Sequence, residues 1–294
     1  MRWILSLALL MTTASPALAW DFIGVRPMSM GGAHRALVTG NDAIMLNPAG
    51  MSLFKRYSME AQYLVKPDWS NEDGPAEHIF STAVVDNQIA SFATGLAYTR
   101  VERGDSKKGN RYDMAFSYAL SNSLMFGTNI KYLNYDRDGK KDAVDAVTID
   151  VGLLLHFDIG LNLGVVGYNL TNTADYTEHP VSMAAAVMYS PFRSLEIAFD
   201  WFINFQKPLD STDPTGDKET AYSYHFGVEY LLLGQFLLRA GYVVDQANPL
   251  YDDEQYWTAG VGYINKSIAV DFGYQGSVNN KWNNTFGVLI RLFM

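Results

Sequence analysis

"SIAVDFGYQ", Ser267–Gln275, sets Ile268, Val270, Phe272 and Tyr274 on one side of an extended chain and Ala269, Asp271, Gly273 and Gln275 on the other. Successive side chains of a strand point to opposite faces, so the stretch predicts a strand with unlike faces. The same period of two runs through "VTIDVGLLLHF" (147–157) and "YSYHFGVEY" (222–230). In the first, Val147, Ile149, Val151, Leu153 and Leu155 oppose Thr148, Asp150, Gly152 and His156. In the second, Tyr222, Tyr224, Phe226, Val228 and Tyr230 oppose Ser223, His225, Gly227 and Glu229.

Working outward, the connections between such segments have their own rhythm. Polar connections fall near 67–77, 102–110, 136–143, 171–179, 206–220, 245–255 and 276–281. Tight turns fall between them near 86–88, 120–122, 157–160, 190–194, 233–235 and 264–267. Long and short connections alternate, joining about fourteen strands with every long loop on one side. The expected fold class is all-β: an antiparallel transmembrane β-barrel of about fourteen strands, inserted from the periplasm into an outer membrane. A soluble sandwich has no reason for that alternation.

Tyrosine placement agrees. Tyr98, Tyr168, Tyr242 and Tyr274 close strands at the long-loop end, and Tyr118, Tyr189, Tyr230 and Tyr263 close strands at the turn end. Rings with a polar tip suit the two headgroup levels of a bilayer. The final segment "WNNTFGVLIRLFM" alternates to the terminus, with Phe286, Val288, Ile290, Leu292 and Met294 on one face. Thr285, Gly287, Ile290 and Leu292 resemble the C-terminal signal read by the barrel assembly machinery, with Phe293 penultimate where that signal ends on an aromatic.

Composition narrows the function. With 31 acidic and 22 basic residues the net charge is −9, which argues against nucleic acid as a partner. There is no cysteine, hence no disulfide framework and no lipoprotein anchor. Residues 1–19 read as an export signal: Met1-Arg2, an apolar run from Ile4 to Met11, and Ala17-Leu18-Ala19 before a cut that leaves Trp20 first. That run is shorter than the roughly 20 residues of a spanning helix.

Residues 20–55 have a different rhythm from the 56–294 barrel. "RPMSMGGAHRALVTGNDAIMLNPAG" (26–50) lacks alternation, carries Gly31-Gly32 and Gly40, and is broken at Asn47-Pro48. An even strand count puts both barrel ends on the periplasmic side, where this segment starts. Irregular backbone at membrane depth is tolerated only when buried in protein or lining a cavity. The segment is therefore read as a plug in the lumen, with Met28, Met30, Met45 and Leu46 as an adaptable apolar surface.

Met30-Gly31-Gly32-Ala33, Asn41-Asp42-Ala43 and Asn47-Pro48-Ala49-Gly50 resemble the N-terminal motif of the long-chain fatty-acid transporter (FadL-type) superfamily, in its branch with PorV and PorQ. The motif covers about a tenth of the chain. The resemblance implies a barrel closed by an N-terminal hatch, with hydrophobic molecules bound inside and released when the hatch or the wall moves. Within the PorV branch it implies instead an accessory of a protein-secretion machine that binds client or partner proteins. The expected partners are outer-membrane lipids, a fatty-acid-like ligand and the assembly machinery; the secretion partner belongs to the alternative.

Met30, Gly31, Gly32, Ala33, Asn47, Pro48, Ala49 and Gly50 are the gating or ligand candidates. Asp150, Glu196, Asp200, Glu229, Asp271, Lys131, Arg239, Arg291, His156 and His225 fall on expected inward faces, and Glu229 and Arg239 stand at mirrored positions about one turn. Such charges fit a polar barrel interior, and a cross-strand pair is favoured over a ligand role. The five histidines (34, 78, 156, 179, 225) form no nucleophile–base constellation, so an enzyme is not expected. No cofactor is implied. "DRDGKKDAVDA" (136–146) lacks the calcium-loop pattern and reads as solvated loop charge rather than a metal site. The apolar turn "YLLLGQFLL" (230–238) would point Leu231 and Leu233 inward.

Overall fold

The computed structural model describes residues 23–38, 40–68, 75–88, 91–104, 107–137, 140–171, 179–208, 218–246, 254–279 and 283–294; the export signal lies outside the described residues. Fourteen strands follow in order: β1 Tyr57–Lys66, β2 Glu77–Asp86, β3 Phe92–Arg103, β4 Lys107–Ala119, β5 Leu124–Arg137, β6 Lys140–Phe157 and β7 Leu161–Tyr168. Then come β8 Ser182–Phe192, β9 Leu195–Pro208, β10 Lys218–Leu232, β11 Phe236–Asp245, β12 Glu254–Ile264, β13 Ile268–Ser277 and β14 Asn284–Phe293. Each pairs antiparallel with its chain neighbours, and β1 closes on β14 from Ser58↔Phe293 to Val65↔Phe286. A closed barrel has no unpaired edge, so its backbone groups are satisfied inside a bilayer.

The alternation decides which face meets lipid. Leu96, Val147, Val261 and Phe272 all face outward and are 60, 51, 53 and 56% exposed. A band of such side chains around every strand is far larger than the apolar patch a soluble monomer tolerates. The wall is that of a membrane-spanning barrel. Seven of the eight strand-end tyrosines face outward; Tyr168 does not, because β7 keeps Gly164, Val166 and Tyr168 on the lumen side. It is buried, and it serves the plug.

Three further expectations are corrected. The polar stretches 102–110 and 136–143 are not long loops: β3 runs to Arg103, β4 starts at Lys107, β5 runs to Arg137 and β6 starts at Lys140. Charge there marks strand ends rising above the membrane band, so the charged segment 136–146 is mostly strand, with Val144 and Ala146 buried. Leu233 does not point inward. It is the tip of the β10–β11 turn, with φ +53° and 82% exposure, while Leu231 keeps the lumen side.

Candidate functional site

Between residues 23 and 54 the chain makes helix α1 (Val25–Ser29), helix α2 (Ala43–Leu46) and a 3-10 turn over Pro48–Ser52. Every described residue from Gly24 to Met51 is buried. Helices this short have no stability of their own; the barrel wall supplies it. Pro48 opens the 3-10 turn where its missing N–H is no loss, and the Asn47 side chain caps the turn by accepting from Ala49 N at 3.2 Å.

The wall makes room for this backbone with small inward residues. A Cβ at Gly127 would lie 2.3 Å from Pro48 C and Ala49 N, and one at Gly241 would lie 2.2 Å from Gly31 N. Ala115 pairs across from Gly95, Ala186 from Gly164 and Ala198 from Gly227, so the girdle of small residues continues on strands with no glycine at this level. At this level plug and wall are in backbone contact.

Polar side chains fix the register. Asn47 Nδ2 donates to Arg35 O at 2.9 Å within the plug and to Leu153 O at 3.2 Å on the wall. Asn41 Nδ2 donates to Ala83 O at 2.9 Å, and Ser58 Oγ donates to Asn41 Oδ1 at 2.6 Å. Gly31 and Gly32 take φ of +62° and +77°, a left-handed path open to glycine. There Gly31 N donates to Thr258 Oγ1 at 2.9 Å, and the His225 ring meets Gly31 O at 2.7 Å.

Ion pairs do the rest. Asp200 Oδ2 accepts from His34 N, Arg35 N and Arg35 Nη1 at 3.1, 3.0 and 3.1 Å. Arg35 Nε donates to Tyr168 Oη at 2.8 Å, and Tyr168 Oη donates to Leu46 O. Arg26 grips Glu229 with two bonds of 3.0 and 2.7 Å and reaches Glu196 at 3.5 Å. Arg239 pairs with both Glu229 and Asp271 at 2.5 Å. Arg291 pairs with Glu60 and, at 3.1 Å, with Asp42. The His34 ring is 1% exposed, and neither ring nitrogen has a hydrogen-bond partner among the described residues. Burial first, and then the nearby guanidinium of Arg26, hold it neutral well below the ordinary histidine range.

Met30–Gly32 therefore sit against β10–β12, Ala33 packs in the cluster with Ala186 and Ala198, and Asn47–Gly50 sit against β5 and β6. The lumen candidates split: Glu229, Arg239 and Asp271 form one network with Arg26, and Arg291 another with Asp42 and Glu60. Asp150 lies apart, paired with Lys131 Nζ at 2.7 Å. Sequence reasoning missed Arg26, Arg35, Asp42, Glu60 and the girdle. A signal for the girdle was present: glycine recurs on the inward positions of strand after strand. For Arg26, Arg35 and Asp42 an aperiodic segment gives no facing to read.

Toward the long-loop end the inward face carries apolar clusters beside the buried Arg111–Asp113 pair, with Arg111 directly across from Leu133. Val101, Leu133, Tyr135, Val144 and Ala146 pack as one buried cluster with Ile79 against it. Tyr168, Phe202, Val166 and Ala184 form a second.

A closed membrane barrel of fourteen strands with its N-terminal segment sealed in the lumen is the class of protein these observations define. The same fold is seen in the Ralstonia pickettii toluene transporter TbuX, with TM-score 0.69, 13% identity, and 93% of this chain and 97% of that one covered. It is seen again in the Pseudomonas putida toluene transporter TodX, with TM-score 0.67, 14% identity and coverage of 94 and 99%. A Pseudomonas aeruginosa FadL homologue matches with TM-score 0.60, 11% identity and coverage of 92 and 97%. The fold is thus the FadL-type fold, and these neighbours lend no support to the PorV/PorQ branch. No family model matches the chain, and no curated protein matches it.

Proposed function

We propose that the protein is a non-enzymatic outer-membrane barrel that binds small hydrophobic compounds in its lumen and passes them toward the periplasm. The observation that carries this reading is the apolar inward cluster around Leu133 and Tyr135, between the long-loop end and a plug whose described residues from Gly24 to Met51 are all buried. A general diffusion pore keeps a polar, water-filled interior. An apolar cluster on the inward face above a seal suits a compound that partitions out of water. Solved relatives of the fold are named toluene transporters, which supports a substrate of hydrocarbon character. The ligand enters among the long loops, rests against the apolar lining, and leaves when residues 26–50 shift.

The test is uptake of radiolabelled toluene and of a labelled long-chain fatty acid by cells producing the intact chain or a chain lacking residues 26–50. Uptake above that of an empty barrel-deficient strain, altered by the deletion, sustains the reading. Equal uptake in all three strains sinks it.

A further inference from the structure

Beneath the plug, at the turn end of the barrel, lies a cavity of about 180 Å³. Leu231, Leu237, Ile264 and Phe293 give it an apolar wall. Its charged lining is uneven: Glu196, Glu229 and Asp271 stand against five arginines. Those three carboxylates are already engaged, by Arg26 and Arg239. Arg291 turns to Glu60 and Asp42 instead.

What remains is donor capacity without an acceptor. Arg239 is 5% exposed, and its Nη2 has no hydrogen-bond partner among the described residues. Arg56, at the foot of β1, has the Phe293 ring 5.4 Å from its guanidinium carbon, and no carboxylate pairs with it among the described residues. Arg193, on the β8–β9 turn at the mouth, is exposed and likewise unpaired among the described residues. Buried cations are ordinarily paired, because leaving one alone in a poorly hydrated place is costly. Burial holds the Arg56 guanidinium down to about 10, and repulsion from Arg291 and Arg26 outweighs the pull of Glu60. The potential at that point favours an anion.

We propose that this cavity binds an oxyanion head group, carboxylate or phosphate, received by Arg56 with Arg193 at its entrance. Guanidinium groups suit planar and tetrahedral oxyanions because their donors lie in a fixed fork. The apolar wall beside them accommodates a short alkyl chain on the same ligand.

Calorimetric titration of the protein in dodecyl maltoside with hexyl phosphate and with inorganic phosphate tests it. One-to-one binding, weakened at least about tenfold in Arg56→Gln, is expected. Arg193→Gln should weaken it less, and it supplies the comparison if Arg56→Gln fails to fold. Preference for hexyl phosphate identifies an amphiphile as the natural ligand; equal affinity for both identifies a free oxyanion. Either result sustains the site. No binding of either probe, or an affinity unchanged in folded Arg56→Gln and Arg193→Gln, overturns it. A structural role alone predicts that Arg56→Gln changes thermal stability and leaves hexyl phosphate affinity untouched.

Discussion

The wall of the barrel and the segment inside it solve the same problem in different ways. Along the wall, backbone polar groups are spent on neighbouring strands, from Ser58↔Phe293 around to Met59↔Val84, and side chains only choose between lipid and lumen. The plug's own backbone bonds are local turns, such as Met28 N to Gly24 O and Asn47 N to Ala43 O. Its polar groups reach the wall through side chains instead: Asp200 to the backbone of His34 and Arg35, Asn41 to Ala83, Thr258 to Gly31. A wall built on repeating backbone bonds spreads its stability over many residues. A plug held by a few buried pairs concentrates it, and such pairs are a precarious asset. Burying the charges costs heavily, and removing one partner exposes that cost. The difference teaches where substitutions should tell most: at the plug's anchors, where single side chains carry the contact with the wall.

Substitutions can break or sharpen that contrast. Asp200→Ala strips three donors of their acceptor and leaves Arg35 buried without its carboxylate. Stability in urea titrations should fall by about 3–5 kcal/mol, and planar-bilayer recordings should show conductance that the parent lacks. Gly241→Ala adds a methyl 2.2 Å from Gly31 N, against backbone that has nowhere to go. It is expected to cost about 1–3 kcal/mol, read by the temperature at which the barrel loses its compact gel mobility. Both changes act on the plug, yet β-sheet circular dichroism should persist if wall and plug are separable as described.

A third prediction concerns pH. His34 is held neutral in the folded chain, whereas in the unfolded chain it protonates near pH 6.5. Between its depressed folded value and 6.5 the unfolded state therefore binds the extra proton, and stability falls as pH falls. The slope contributed is about 1.4 kcal/mol per pH unit. Unfolding measured from pH 7.5 to 5 should be shallower in His34→Asn than in the parent; parallel curves would show that the ring is not held neutral. The smallest effect belongs to the wall's rim. Leu233→Ser, at an 82% exposed turn tip, should shift stability by less than about 0.5 kcal/mol.

The same contrast explains what was legible in the sequence. Strand faces follow from a period of two, so the inward positions of Asp150, Glu229, Arg239, Asp271 and Arg291 could be read from neighbours alone, as could the Glu229–Arg239 pairing about the β10–β11 turn. Loop length could not: Lys107, Lys108 and Asp136 belong to strands that extend beyond the membrane band, where polarity no longer separates strand from loop. Tyr168 misled for a related reason. Its place at a strand end suggested a belt residue, but Gly164 and Val166 set its parity inward, and Arg35 gives its hydroxyl a partner. In the plug, composition indicated burial and nothing more. Which wall residue meets Arg26 or Asn41 depends on contacts across the whole barrel, about 200 residues apart for Arg26 and Glu229, and no local pattern encodes that.

The central claim is that the plug must move for a hydrophobic compound to pass. Ser52 Oγ and Ser117 Oγ lie 2.8 Å apart, one at the end of the plug and one on β4, and the chain has no cysteine to interfere. Ser52→Cys with Ser117→Cys should form a disulfide that ties the plug to the wall, and Asn47 links the tied turn to Arg35 deeper in the plug. In liposomes holding this variant, the account predicts that flux of radiolabelled toluene stops on oxidation and returns on reduction. Flux that is the same in the oxidised and reduced states would contradict it.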